Sequence, residues 1–138
     1  MTAYLDSSVI LGILLGQKSP PPAWEGHSTL VASVLVEVEC LRTLDRIHSS
    51  GDLYEKAYLE KCSGLHKFLS AVHLVPLEPP VIRRASGAFP GPLRSLDALH
   101  LATAILYQDG NGESLTFLTH DKGLAKVAAA MGLPIGGI

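Results

Sequence analysis

Short apolar segments alternate with helix-like segments along the 138-residue chain, and this alternation limits the folds that are open to it. The predicted strands lie at 2–5, 30–32, 74–77, 115–119 and, as an edge strand, 133–135. The predicted helices lie at 9–14, 34–47, 52–69, 81–88, 96–108 and 122–131. Strands separated by helices favour a parallel sheet covered on both faces. We therefore predict one α/β domain over 1–138, with a central parallel sheet of about four or five strands.

The first predicted strand ends in an acidic residue. Tyr4 and Leu5 supply the strand pattern, Asp6 follows them, and apolar residues at helical spacing begin at Val9. Gly16 and the prolines that follow it at 20–22 predict a break after this helix. In open α/β sheets, ligands bind at the carboxyl ends of the strands. We therefore expect Asp6 to lie at the ligand-binding edge of the sheet.

Composition excludes several classes of protein. The chain is 47% hydrophobic and 17% charged, which is typical of a globular domain and not of a disordered segment. Its 11 basic and 13 acidic residues give a net charge of −2, so it lacks the basic surplus that usually marks a nucleic-acid-binding protein. A role with nucleic acid would therefore depend on local basic patches or on bound cations.

The two cysteines, Cys40 and Cys62, are too few for a disulfide scaffold and are not spaced as a metal-binding pair. We predict buried free thiols in a reducing cytosol. The first residues lack the basic region of a signal peptide, and the apolar run at 9–15 is too short to span a membrane. We therefore expect a cytoplasmic protein with no signal peptide and no membrane span.

Four acidic residues fall where a parallel sheet could bring them together. Asp6 ends the first strand, Asp97 lies in the first turn of a helix, and Asp121 separates the last long strand from the last helix. Glu39 lies two turns into the second helix. A single Asp near a helix N-terminus usually serves as a cap or interacts with the helix dipole, at ~0.3–1 kcal/mol.

Hydroxyl side chains stand beside three of these acids and could cap the same helices: Ser7 or Ser8, Ser95 and Thr119. Acids in addition to caps, repeated at three helix starts, indicate a functional cluster. Crowded carboxylates would repel one another unless a cation neutralised them. An all-oxygen ligand set suits Mg²⁺ or Mn²⁺, and a metal held in this way can activate water against a phosphodiester.

Four segments resemble the signature blocks of PIN-domain ribonucleases, in particular the toxins of bacterial VapBC toxin–antitoxin pairs. The segments are Leu5–Val9, Ser33 to Arg42 around Glu39, Leu96–Ala104 and Phe117–Leu124. They occur in the family's order and span almost the whole chain. The resemblance implies a Mg²⁺- or Mn²⁺-dependent endoribonuclease that cleaves structured RNA such as tRNA or ribosomal RNA. It also implies a homodimer and a cognate VapB-like antitoxin that blocks the acidic cleft.

The resemblance assigns residues to this site by position. The catalytic and metal-binding acids are Asp6, Glu39, Asp97 and Asp121, with Ser8 and Thr119 as supporting polar residues. Glu37 is an alternative for the second acid, because a helical wheel puts it in an apolar arc where a carboxylate is costly and often functional. The same wheel puts Glu39 on a polar stripe with Arg42. The family spacing favours Glu39.

Basic residues and histidines near these blocks have two interpretations each. Arg42 is a candidate contact for RNA phosphates, but it could also pair with an acid on a solvated helix face. Arg94 is a further phosphate candidate whose default role is surface solubility. His100 lies one turn past Asp97 and could approach the site or be an ordinary, partly buried helix histidine. His120, beside Asp121, could approach the site or be an ordinary loop residue.

Three other functions fit the sequence less well. A dinucleotide-binding fold fails because no Gly-x-Gly-x-x-Gly follows a strand. A phosphotransfer domain with Asp6 as nucleophile would need a second aspartate at the position of Ser8 in the haloacid dehalogenase pattern. A catalytically silent PIN-like binding domain predicts missing acids, whereas all four positions are filled here.

Overall fold

The structure, a computed structural model, describes residues 2–18 and 29–137. The strands are β1 Thr2–Leu5, β2 Thr29–Ser33, β3 His73–Val75, β4 Leu115–Leu118 and β5 Ile135–Gly136. The helices are α1 Ser7–Leu14, α2 Leu35–Ser49, α3 Glu55–Leu69, α4 Pro79–Ala85, α5 Ser95–Asn111 and α6 Lys122–Ala130. The predicted break after α1 is confirmed at Gly16, which has a positive φ of 69°. The proline run at 20–22 lies outside the described residues.

The five strands form one parallel sheet in the order β3-β2-β1-β4-β5, which confirms the predicted architecture. Thr2 pairs with Thr29 of β2 on one side of β1, and Leu5 pairs with Leu118 of β4 on the other. The chain builds β2 and β3 on one side of β1 and then returns to add β4 and β5 on the opposite side. A reversal of this kind opens a crevice between the carboxyl ends of β1 and β4, which is where ligands bind in such sheets.

Helices cover both faces of the sheet because side chains alternate along each strand. Ala3 and Leu5 of β1 point to the face covered by α1, α2 and α3, where they join a buried cluster with Val36 and Leu65. Tyr4, the residue between them, points to the other face. There it lies in a second buried cluster of Val31, Leu101, Phe117, Leu124 and Val127, with α5 and α6 as the cover.

Several boundaries differ from the sequence prediction for identifiable reasons. The helix α4 begins at Pro79 and not at Val81, because proline is well suited to the first turn of a helix, where no amide partner is needed. β3 covers His73–Val75 and is shorter than the predicted 74–77. α3 begins at Glu55, three residues later than predicted. The last strand is Ile135–Gly136, because the proline at 134 cannot donate to the ladder.

Both cysteines are free thiols, as predicted, although only Cys40 is fully buried and Cys62 is partly exposed. Burial, with smaller effects from the charges of Glu39 and Asp6, raises the pKa of Cys40 to about 12. This thiol is therefore an inert core residue. Among the helices of the described residues, none has the length and apolar character needed to cross a membrane.

Candidate active site

Asp6 follows β1 directly and is the N-cap residue of α1. Its Oδ1 accepts hydrogen bonds from the backbone N–H groups of Ser8, at 3.1 Å, and Val9, at 3.3 Å. Only 4% of Asp6 is exposed. The carboxylate is thus fixed in the crevice between β1 and β4, with its charge directed toward the positive end of the helix dipole.

Two hydroxyl groups complete the shell of Asp6. Ser8 Oγ donates to Oδ1 at 2.5 Å, and Thr119 Oγ1 donates to Oδ2 at 2.6 Å. Each hydroxyl oxygen in turn accepts a backbone N–H: His120 donates to Ser8 Oγ at 2.9 Å, and Asp121 donates to Thr119 Oγ1 at 3.0 Å. Because both oxygens accept from fixed amides, their single protons are directed at Asp6. Burial raises the pKa of Asp6, and the two hydroxyl donors oppose that rise.

Asp121 and Asp97 bring two further carboxylates to the same edge. Asp121 is the N-cap of α6, where its Oδ1 accepts the N–H of Leu124 at 3.0 Å. Asp97 lies in the first turn of α5 and is half-buried. Partial burial raises the pKa of Asp97, and the neighbouring charges of Asp121 and Asp6 raise it further. The charges of both other aspartates therefore act on Asp97.

The prediction that hydroxyl residues cap these helices, with the acids present in addition, is wrong. Asp6 and Asp121 themselves cap α1 and α6, and Ser95 is the first residue of α5, which has no side-chain cap. Asp and Ser are equally suitable N-caps, so sequence alone could not decide which residue would take the position. Capping and membership of the acidic cluster are combined in the same aspartates.

Glu39, and not Glu37, lies at the cleft. The Glu39 side chain is 17% exposed and its Oε1 lies 2.6 Å from His100 Nε2, whereas the Glu37 side chain is 44% exposed and faces His66 on α3 at 3.9 Å. The helical wheel put Glu37 in the apolar arc and Glu39 on the polar stripe, and it was therefore wrong about which of the two is more buried. The wheel assumes that a carboxylate turns toward water, but Glu39 has a buried hydrogen-bond partner.

His100 connects Glu39 to the centre of the sheet, a role that the sequence did not reveal. It lies one turn after Asp97 on α5, is 1% exposed, and its Nδ1 lies 2.7 Å from the hydroxyl of Tyr4. The Tyr4 oxygen accepts the backbone N–H of Ser33 at 3.2 Å. The spacing of three residues between Asp97 and His100 was the available signal, because such residues share a helix face.

An open cleft of about 900 Å³ runs past three of the acids. Its lining comprises Glu39, Pro92, Leu93, Arg94, Ser95, Leu96, Asp97, Asp121, Gly123 and Leu124. Arg94 places a cation on this lining, whereas Arg42 is exposed and bonded to Asp45 at 3.1 Å. The surface pairing considered for Arg42 is therefore observed, and Arg94 is the arginine at the cleft.

The donor set can be compared with the needs of a divalent cation. Partial burial and the charges of Asp121, Asp6 and Glu39 raise the pKa of Asp97, and a cation would neutralise those charges. Within residues 2–18 and 29–137, no three His, Cys, Asp or Glu side chains are arranged to hold an ion directly. Mg²⁺ is commonly held by one or two carboxylates and several waters, so the residues fit an ion of this kind.

Comparisons with known proteins agree with this fold. The chain is 31% identical over 128 residues to the ribonuclease VapC47 of Mycobacterium tuberculosis, covering 86% of this chain and 83% of that protein. Its fold is similar to that of a chain in the crystal structure of VapBC2 from Rickettsia felis bound to a promoter DNA fragment, with a TM-score of 0.65, 14% identity and coverage of 98% and 97%.

A second solved structure, a toxin–antitoxin complex from Klebsiella pneumoniae, matches 91% of this chain and 92% of its own with a TM-score of 0.60 and 17% identity. The family model of the PIN domain matches residues 3–130, nearly the whole sequence. The chain therefore belongs to the PIN domain family.

Proposed function

We propose that this PIN domain is a metal-dependent endoribonuclease and the toxin component of a VapBC-type toxin–antitoxin pair. The observation that carries the proposal is that Glu39, Asp97 and Asp121 line one open cleft at the carboxyl edge of the sheet, with Asp6 close enough for its charge to act on Asp97. The 31% identity to a VapC ribonuclease supports the same activity. The cytoplasm is the compartment in which such an enzyme would meet its RNA.

The metal is proposed to be Mg²⁺ or Mn²⁺, held directly by one or two of Asp6, Asp97 and Asp121 and through water by the other acids, Glu39 included. When bound, such an ion would supply a water molecule of lowered pKa and positive charge for the scissile phosphate. The protein's own contribution is to keep Asp6 ionised and fixed: Ser8 and Thr119 direct their hydroxyl protons to its two oxygens. A carboxylate that is already oriented loses little entropy when it binds an ion.

The remaining acids are proposed to act at the open side of the cleft. Asp121 is exposed and its Oδ1 is held by the N–H of Leu124, so its orientation is fixed while its other oxygen stays accessible. Asp97 carries a raised pKa because it is partly buried beside other carboxylates. A cation bound beside Asp97 would neutralise the neighbouring charges that raise this pKa, so the group is suited to a place near the metal.

Substrate binding in this proposal relies on local charge, because the chain as a whole has a net charge of −2. Arg94 lies on the cleft lining and is the first candidate for an RNA phosphate. Arg42 remains a second candidate, which would have to leave its 3.1 Å contact with Asp45 to reach a phosphate. An exposed pair of this kind is worth only ~0.2–1 kcal/mol, so its loss costs little.

Two partners follow from the family and remain proposals for this chain. One is a VapB-like antitoxin, supported by the fold shared with a VapBC complex. The other is a second copy of the chain in a homodimer. Exposed apolar residues on α2 and α3, namely Val38 and Leu59, are consistent with a surface that another protein covers.

The direct test is RNA cleavage by the purified chain in Mg²⁺, in Mn²⁺ and in EDTA, with Asp97→Asn beside it. Asp109→Asn is the matched control, because Asp109 is an exposed residue of the same helix. We expect cleavage that needs metal, disappears in Asp97→Asn and persists in Asp109→Asn. Equal cleavage by wild type and Asp97→Asn would contradict the proposed site. Metal binding without cleavage of a tRNA and ribosomal RNA mixture would favour a binding-only domain.

A further inference from the structure

We propose that His100 is a positioning residue for Glu39, and that Tyr4 fixes the protonation pattern that lets it act. This inference rests on the proposed function, since it concerns how one of the four acids is held at the cleft. It starts from a continuous series of hydrogen bonds that runs from the backbone of β2 to the carboxylate of Glu39.

The series begins at a backbone amide, which fixes the direction of its first link. Ser33 N–H donates to the Tyr4 hydroxyl oxygen at 3.2 Å, and an amide can only donate. The Tyr4 hydroxyl must therefore use its own proton elsewhere, and His100 Nδ1 lies 2.7 Å away. The nearby Thr103 hydroxyl gives its proton to the Leu99 carbonyl at 2.6 Å, so it can meet Tyr4 only as an acceptor. We assign the Tyr4 proton to His100 Nδ1, because a ring nitrogen is a stronger acceptor than a hydroxyl oxygen.

The next link follows from the chemistry of imidazole. If Nδ1 accepts the Tyr4 proton, the ring proton resides on Nε2, and this N–H points at Glu39 Oε1 over 2.6 Å. Oε1 is then occupied as an acceptor, which leaves Oε2 for the cleft. The ring itself cannot turn away, because it is 1% exposed and has its two nitrogens bonded on opposite sides.

The position of His100 on α5 connects the hydrogen bond to Glu39 with the rest of the site. Asp97 and His100 are three residues apart and share a face of α5, so one helix face carries one acid and the donor that holds another. Glu39 comes from α2, 61 residues earlier in the chain. The Glu39 carboxylate is therefore linked to the helix that carries Asp97 by a side-chain hydrogen bond between α2 and α5.

If His100 served only the stability of the fold, its loss would affect metal binding differently. Loss of a buried hydrogen bond would lower stability but would leave the affinity for a metal unchanged in the fraction that folds. Loss of an outer-shell partner of a metal-binding carboxylate typically weakens metal binding by about 10–100-fold. The two roles are therefore separated by measuring metal affinity on folded protein.

The experiment titrates Mn²⁺ into metal-free protein by calorimetry, with His100→Leu, His100→Gln and Tyr4→Phe compared with wild type. Circular dichroism melting identifies the temperature at which each variant is folded. We expect affinity to fall by about 10–100-fold in His100→Leu. We expect His100→Gln to recover part of this loss, because a glutamine amide can donate to Glu39 from nearly the same position as Nε2. Unchanged affinity in folded His100→Leu would overturn the proposal.

A second readout does not depend on metal. The ¹⁵N spectrum of the imidazole in metal-free protein distinguishes a protonated from an unprotonated ring nitrogen. We expect His100 to carry its proton on Nε2 with Nδ1 unprotonated, and we expect Tyr4→Phe to mix the two tautomers. A proton on Nδ1 in wild type, alone or together with Nε2, would overturn the role given to Tyr4.

The two readouts also separate this inference from the proposed function. If wild type binds Mn²⁺ and Asp97→Asn does not, while His100→Leu binds as wild type, only the positioning role fails. If wild type does not bind Mn²⁺ at all, the proposed metal-dependent function fails and the positioning role fails with it, whatever the ¹⁵N spectrum shows.

Discussion

Thr119 Oγ1 lies 2.6 Å from Asp6 Oδ2, although the two residues are 113 positions apart in the sequence. The contact joins the ends of β1 and β4, the neighbouring strands that these residues follow. Thr119 also accepts the N–H of Asp121, so one hydroxyl links two of the four acids. The site is therefore assembled by the pairing of the first strand with the fourth.

Replacing Thr119 by valine tests this link. The change keeps the shape of the side chain but leaves Asp6 Oδ2 without its donor and the Asp121 N–H without its acceptor. An unsatisfied buried polar group costs about 1–3 kcal/mol, so we expect a comparable loss in the free energy of unfolding, measured in urea. The pKa of Asp6, already raised by burial, should rise further because one opposing hydroxyl is gone.

Thr116→Val is the matched control for this prediction, because Thr116 lies on β4 and is only partly buried. It should change the free energy of unfolding by less than about 0.5 kcal/mol. Metal-dependent cleavage should fall in Thr119→Val and not in Thr116→Val. Equal stability of the two variants would show that Thr119 does not support Asp6 in the way the hydrogen bonds indicate.

Gly91 lies in the loop before α5, next to the cleft-lining Pro92. A Cβ at this position would lie 2.9 Å from Val127 Cγ2, closer than carbon atoms approach one another, and Val127 is a stiff, buried residue of α6. We expect Gly91→Ala to lower the free energy of unfolding by about 1–3 kcal/mol, the cost of overpacking. Denaturant unfolding measures the change.

Gly110→Ala should change stability in the opposite direction. Gly110 lies in the last turn of α5, and a Cβ there would meet nothing within 4 Å. Alanine is favoured over glycine in a helix by about 0.5–1 kcal/mol, so this variant should be slightly more stable than wild type. For the Gly91→Ala prediction, the contrary outcome is a variant more stable than wild type, which would show that the loop before α5 moves freely away from α6.

The fold could be predicted from the sequence because its signals are local. Each strand is a short apolar run and each helix has its own apolar face, so the order of elements and the parallel sheet follow from alternation. The match of Asp6, Asp97 and Asp121 to helix starts follows in the same way. Boundaries shifted by a few residues where proline could serve either as a stop or as a start, as at Pro79.

The contacts that organise the site could not be predicted, because they join distant segments. The residues near Asp6 in the sequence do not indicate that a threonine after β4 will donate a hydrogen bond to it. The residues near Glu39 do not indicate that a buried histidine on α5 will contact it. A helical wheel shows only the average polarity of a helix face. It therefore placed Glu39 on a polar stripe, although a single hydrogen-bond partner, His100, holds this side chain at the cleft.

Exchanging the two glutamates of α2 for glutamine tests which is the second acid. Glu39→Gln removes the charge at the cleft and should reduce cleavage and Mn²⁺ affinity by on the order of 10–100-fold. Glu37→Gln changes a half-exposed residue near His66 and should leave both within about twofold of wild type, as surface changes usually do. Calorimetry and RNA cleavage on both variants measure the effect. A larger loss in Glu37→Gln than in Glu39→Gln would reverse the assignment.

Asp97→Asn should stabilise the protein while it abolishes activity. Burial and the charges of Asp121 and Asp6 raise the pKa of Asp97, so the folded state binds this proton more tightly than the unfolded chain does. The ionised form therefore costs folding free energy, and this cost appears as pH rises above the ordinary Asp value of about 3.9 toward the raised value. Below that window the carboxyl group is protonated in both states and the cost vanishes.

Because Asp97 is partly exposed and screened by solvent, we expect Asp97→Asn to raise Tm by only roughly 1–3 °C at neutral pH in EDTA. The gain should disappear at acidic pH, and saturating Mn²⁺ should raise the Tm of wild type more than that of the variant. Thermal melts of both proteins across this pH range measure the difference, with Asp109→Asn as the control. A lower Tm for Asp97→Asn in EDTA at neutral pH would mean that Asp97 makes a net favourable contribution to the fold and is not held under repulsion.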